Sequence, residues 1–229
     1  MIGRQSLRIV MVLGVLITLV GGTGIFAVFT DRATTGFNTV GSGARPHAAD
    51  LQISEASNTG GALNCDPDGD ALFSDDLTTG LFSVADVQPG GQTPSRWICL
   101  LNAGSGPLAI SASVIDLQDE DEGCTGDEEA AGDTTCGGFQ AGELGALLDL
   151  EVTEVPCLDP NAPGIGSTGS LATFADEPIR GGGGSFPAGS TTCVRLRVSY
   201  PGATPETSVQ LAQSDRVQWR FAFDGTVVE

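Results

Sequence analysis

The chain contains no lysine: its ten basic residues are all arginine, set against 29 acids for a net charge of −19. Nothing in such a chain can neutralise a phosphate backbone, so nucleic acid is excluded as a partner. The charge suits a soluble surface that repels its neighbours at low salt and tolerates high salt. Cation binding and cation-dependent assembly are the functional readings it leaves open. Histidine is nearly missing too, with His47 standing alone behind Pro46. There is no CxxC pair, no HExxH helix and no G-x-S-x-G elbow, so neither a zinc centre nor a nucleophile–base pair can be assembled from known patterns. The run "GGGGS" at 181–185 follows no strand and opens no helix, which makes it a loop and not a phosphate cradle. Glycine (33) and proline (12) stay below the level that marks disorder. One folded domain with long acidic and glycine-rich loops is expected, over residues 49–229.

Only one long hydrophobic run is present, and it lies at the start. Arg4 and Arg8 precede "IVMVLGVLITLV" at 9–20, followed by glycines and small residues. A positive flank, a short apolar run and a small-residue exit describe a secretory signal peptide over residues 1–27, cut between Ala27 and Val28. The alternative is a retained anchor, because Ile9 to Phe29 gives 21 uncharged residues. Gly21, Gly22 and Gly24 thin out its far end and favour cleavage. The membrane then enters only through the signal peptide, and the mature protein is secreted to the cell surface or extracellular matrix.

The six cysteines are Cys65, Cys99, Cys124, Cys136, Cys157 and Cys193. In an exported chain they read as three disulfides, for which sequence alone allows fifteen pairings. Cys124–Cys136 is the first expected pair, since it closes a short loop with no core of its own. Cys65–Cys99 and Cys157–Cys193 follow by elimination.

Period-two alternation marks the mature chain as all-β. "DLQIS" (50–54) sets Leu51 and Ile53 against polar neighbours. Around the turn "NAGSG", Trp97, Cys99 and Leu101 share one face, and Leu108, Ile110, Ala112 and Val114 share another. Leu148, Leu150 and Val152 align in "LLDLEVTEV", Val194, Leu196, Val198 and Tyr200 in "CVRLRVSY", and Val217, Trp219, Phe221 and Phe223 in "RVQWRFAF". Short alternating strands separated by turn signals predict a β-sandwich or jelly roll. "QAGELGALLDL" (140–150) has room for one helical turn before its strand.

The exit of the hydrophobic run, "GGTGIFAVFTDRATTGFNTVGSG" followed by "ADLQIS", resembles the export pattern of the TasA/camelysin family. The matching elements are Gly21-Gly22-Thr23, Phe26-Ala27, Phe29-Thr30-Asp31, the Thr-rich stretch from Thr34 to Thr39, and Asp50-Leu51. "VQPGGQTPSRWICLLNAGSGPLAISASV" and the carboxyl-terminal "CVRLRVSYPGATPETSVQLAQSDRVQWRFAFDGT" are similar to that family's middle and closing strands. The resemblance implies processing by a SipW-type signal peptidase and a jelly-roll subunit of a matrix fibre or pilus. Residues 28–48 then form an extended segment with no core of its own to join, in which Val28, Phe29, Phe37 and Val40 would seat as a donor strand on the next copy of the chain; the alternative is a disordered tail. Such head-to-tail donation does not close and yields filaments. The family also carries a metalloendopeptidase label, for which this chain supplies no ligand set.

Two acidic stretches are candidates for calcium, which takes six to eight oxygen ligands. In "CDPDGDALFSDD" (65–76), Asp66, Asp68 and Asp70 have alternate spacing, but position six from Asp66 is Ala71 and position twelve is Leu77. An EF-hand is therefore ruled out, leaving a looser site with Asp75 or Asp76, or an exposed acidic turn. The stronger candidate is "DLQDEDEGCTGDEEAAGDTTC" (116–136), with Asp119, Asp121, Glu122, Asp127 and Glu128 as calcium ligands. Like charges this dense leave the loop either solvated or gathered round a cation. The expected function is that of a self-polymerising secreted subunit. The alternatives are a camelysin-type metalloendopeptidase and a monomeric calcium-binding surface protein.

Overall fold

The computed structural model describes residues 30–35, 49–59, 61–68, 71–77, 80–82, 88–121, 123–135, 137–140, 142–180, 184–213 and 215–228, with 30–35 and 57–59 described as backbone alone. Residues 1–27, expected to be a signal peptide ending at Ala27, lie outside these, as do Val28, Phe29, Phe37, Val40 and His47. Among the described residues no helix is long and apolar enough to cross a membrane.

The strands, in chain order, are β1 (Thr30–Thr35), β2 (Leu51–Glu55), β3 (Ser57–Thr59), β4 (Ala62–Asn64), β5 (Asp76–Leu77), β6 (Arg96–Asn102), β7 (Leu108–Asp121), β8 (Asp149–Val155), β9 (Ile165–Ser170), β10 (Glu177–Pro178), β11 (Thr191–Ser199) and β12 (Asp215–Val227). Among the described residues three short α-helices interrupt them, α1 (Gly126–Ala131), α2 (Leu144–Leu147) and α3 (Glu206–Leu211), with one 3-10 turn at Leu171–Thr173. The expected helical turn before β8 is α2. One five-stranded sheet runs β10-β7-β12-β1-β5 and the other β2-β6-β11-β8-β9, while β3 and β4 form a separate hairpin. The chain is an all-β sandwich, as the alternation predicts.

The core lies between the two sheets. Leu108, Ile110, Ala112, Phe221 and Phe223 come from the first, and Leu51, Ile53, Ile98, Leu100, Leu150, Val152, Val194, Leu196 and Val198 from the second. Burying each large side chain stabilises the fold by roughly 1.5–3 kcal/mol. The "NAGSG" turn between β6 and β7 is organised by fully buried Asn102, whose Nδ2 donates to the carbonyls of Gly106 and Phe186, both at 2.9 Å. Its Oδ1 accepts the Gly104 N–H at 3.1 Å.

On the outer face of the second sheet, Cys65, Cys99 and Cys193 pack with Leu63 and Val155, and Trp97 and Cys157 lean on them. The disulfides Cys65–Cys99 and Cys157–Cys193 form as expected. Cys99 and Cys193 face each other across β6 and β11, which brings Cys65 Sγ within 3.0 Å of Cys193 Sγ. Cys124 is also disulfide-bonded; its expected partner Cys136 lies outside the described residues. Two described disulfides are compatible with an extracellular protein.

Candidate functional site: an inserted strand and a carboxylate cluster

Two features follow from the way β12 is paired. On one side it takes β1, antiparallel, from Thr30↔Thr226 to Thr34↔Ala222. β1 in turn pairs parallel with β5 through Thr34↔Asp76 and Thr35↔Leu77. The stretch 30–35 falls within the segment 28–48 expected to be extended, and in this structure it pairs within the chain's own sheet. The open edge of β12 offers a row of unpaired backbone groups, and a Thr-rich segment in the same chain satisfies them. The expected donor residues Val28, Phe29, Phe37 and Val40 flank this strand, outside the described residues.

On its other side β12 pairs with β7 along almost its whole length. The register slips once: Gln218 faces Gln118, but Arg220 faces Ile115, so β7 holds one extra residue. Asp116 marks the slip with φ of 50° and forms an ion pair with Arg220. A one-residue bulge inverts the alternation that follows it. Before the bulge the inward residues are Leu108, Ile110, Ala112 and Val114; after it they are Leu117, Asp119 and Asp121. The acidic stretch expected to loop out from residue 116 is therefore strand as far as Asp121, and two of its acids turn inward.

Other acids join them. Asp215 lies opposite Asp121 in the register. The chain beyond β7 passes through α1 and folds back, bringing Asp133 and Glu143 to the same end. The Glu143 and Leu144 N–H groups donate to Asp215 Oδ2 at 2.5 and 3.0 Å. Gly145 N–H donates to Asp119 Oδ2 at 2.7 Å. The backbone approaches so closely that a Cβ on Gly142 would stand 2.6 Å from Asp119 Oδ1, and one on Gly145 2.7 Å from Oδ2. Asp121 Oδ1 accepts the Gly123 N–H at 2.7 Å, and Asp133 Oδ1 accepts the N–H and hydroxyl of Thr135 at 2.8 and 2.7 Å. Donor atoms of Asp121, Cys124 and Asp133 lie within 4.8 Å of one another.

The electrostatics record the crowding. Burial, then Asp215, Asp133, Asp121 and Asp119, push the Glu143 carboxyl up to about 7. Burial raises Asp215 to about 6, against the pull of the Glu143 and Leu144 N–H groups. Asp119 is raised by burial, partly offset by the Gly145 N–H. The Tyr200 hydroxyl is raised by burial and by Asp215. Asp133 is instead lowered, by the Thr135 N–H and then its hydroxyl.

Of the five expected calcium ligands, the structure brings Asp119 and Asp121 together. Glu122 is outside the described residues, and Asp127 is exposed on α1. Glu128 is fully buried, but it closes a capping box with Thr125 at the start of α1. Asp133, Glu143 and Asp215 were not among the expected ligands. For Asp215 a signal exists, because it shares parity with the inward residues Val217, Trp219 and Phe221. In the other acidic stretch Asp66 and Asp68 are exposed, Asp66 Oδ1 accepts the Asp68 N–H at 3.0 Å, and Asp70 is outside the described residues. No family model, no curated protein and no solved structure matches the chain.

Proposed function

We propose that the protein is a secreted, jelly-roll-like structural subunit of an extracellular fibre, pilus or biofilm matrix, polymerising by strand donation. The observation that carries this reading is the place of β1, a short strand of mostly small polar residues slotted between β12 and β5. Its pairing is backbone pairing, which an identical strand from another copy reproduces without any new contact. Thirteen residues, 36–48, join β1 to the next described residue, Ala49. Fully extended they span at most roughly 43–47 Å, which bounds how far β1 could reach toward a neighbour's slot. The order of sequence elements that resembles the TasA/camelysin family supports the same reading, as do disulfides that stiffen the subunit. Export through a SipW-type signal peptidase belongs to this proposal, and self is the principal partner.

A cysteine pair tests it. Thr30 and Thr226 are register partners, and the described cysteines are all disulfide-bonded. In a Thr30→Cys/Thr226→Cys variant, oxidation after assembly should give a ladder of covalent multimers on a non-reducing denaturing gel. Fibres should appear by negative stain from protein starting at Val28 and be missing from protein starting at Ala49. A variant that closes only within single chains, with monodisperse particles, would sink strand donation.

A further inference from the structure

The geometry points to a calcium site at the end of the sandwich, formed by Asp119, Asp121, Asp133, Glu143 and Asp215. Asp119 is only 7% exposed, and its Oδ1 is buried against the Gly142 backbone with no hydrogen-bond partner. Asp133, Glu143 and Asp215 are only half-buried, but Asp133 Oδ2, Glu143 Oε2 and Asp215 Oδ1 are themselves shut off from solvent and without a donor. Orphaned buried acceptors are rare in folded proteins and costly, and four from four different acids share one locus.

The charges acting on Glu143 come from Asp215, Asp133, Asp121 and Asp119, so each of the other acids makes the cluster worse. The two arginines of β12 have the opposite parity to Asp215 and are engaged elsewhere, Arg216 with Glu120 and Arg220 with Asp116. A bound water could donate to one oxygen, but it would leave the charge uncompensated. A cation answers both deficits.

The donor set selects the cation. Every donor is a carboxylate oxygen, which suits a hard ion and disfavours metals that seek nitrogen or sulfur. Cys124 lies close by, but its sulfur is held in a disulfide and is no thiolate. Acids contributed by two strands and a returning loop match the irregular six- to eight-oxygen shell of calcium better than the strict octahedron of magnesium. Calcium at this position would pin the 122–143 excursion to the β7–β12 pair.

The test uses the full chain stripped with a chelator, titrated with calcium chloride by isothermal calorimetry and melted across the same concentrations. One calcium per chain is expected, with a melting temperature that climbs with the logarithm of calcium concentration and responds less to magnesium. Glu143→Gln and Asp215→Asn should each weaken calcium binding at least tenfold while melting no lower than the parent in chelator. Asp159→Asn, an exposed acid on another loop, should bind calcium as the parent does. Absence of stoichiometric uptake at millimolar calcium, or full binding by both cluster variants, would overturn the site. Neither result depends on whether the protein forms fibres.

Discussion

Glu143 holds its proton to about pH 7 because burial and four neighbouring acids oppose its charge. The consequence for stability has a definite sign. Without calcium, the folded chain keeps protons on Glu143 and Asp215 that the unfolded chain releases near their ordinary values of 4.5 and 3.8. Stability must then fall as pH rises from about 4 to about 7. Asp119, Asp121, Asp133 and Tyr200 face the same locus, and Asp119 and Tyr200 shift in the same direction. Calorimetric melting in chelator should therefore give a lower midpoint at pH 7.5 than at pH 5.5, and Glu143→Gln should flatten that slope. Saturating calcium should reverse it, because the metal binds the deprotonated carboxylates. A midpoint that rises with pH in chelator would contradict this account. Glu151 pulls the other way at lower pH: burial alone would raise it, but hydrogen bonds from Arg197, Arg195 and Thr153 hold it below its usual value. Its contribution is present above the unfolded pKa and lost as pH falls through the folded one. At this scale the sequence was half readable. Asp119 and Asp121 stood out by density, whereas Asp133, Glu143 and Asp215 are scattered along the chain and meet only through strand register and loop return.

Among the elements, β7 governs the cluster, and its bulge governs β7. Asp116 occupies left-handed backbone, which Asp and Asn tolerate and β-branched residues do not. Asp116→Val should lower the unfolding free energy in urea by about 2 kcal/mol, from backbone strain plus the lost ion pair with Arg220. Asp116→Asn loses only the half-exposed ion pair and should cost about 0.5 kcal/mol. Equal losses in the two variants would show that the ion pair, not the backbone, is what matters there. The alternation of β8, β11 and β12 was plain in the sequence because a strand buried on one face writes its period directly into residue type. The bulge was not, because an extra residue in "VIDLQDED" leaves a polar–apolar pattern that also reads as the end of a strand. The turn at Asn102 was legible as a turn, though not as a buried hub, since its partner Phe186 lies far along the chain.

For the whole molecule, the lysine-free composition bears directly on assembly. The chain from Val28 onward, without Arg4 and Arg8, has 8 arginines against 29 acids, a formal charge of 8 − 29 = −21, so the proposed head-to-tail stacking would bring like-charged surfaces together. The proposed strand donation would supply short-range backbone pairing that salt hardly touches, while the opposing repulsion would be long-ranged and screened. The screening length falls from about 30 Å at 0.01 M salt to about 3 Å at 1 M. Fibre growth followed by light scattering should therefore quicken as sodium chloride rises from low to molar concentration, and potassium chloride should match it ion for ion. Calcium should act differently, raising the melting temperature at millimolar concentration where the same ionic strength of sodium does not. Growth that slows with added salt would mean that arginine–carboxylate pairs between subunits drive assembly. The donated strand would then be the consequence of the contact and not its cause.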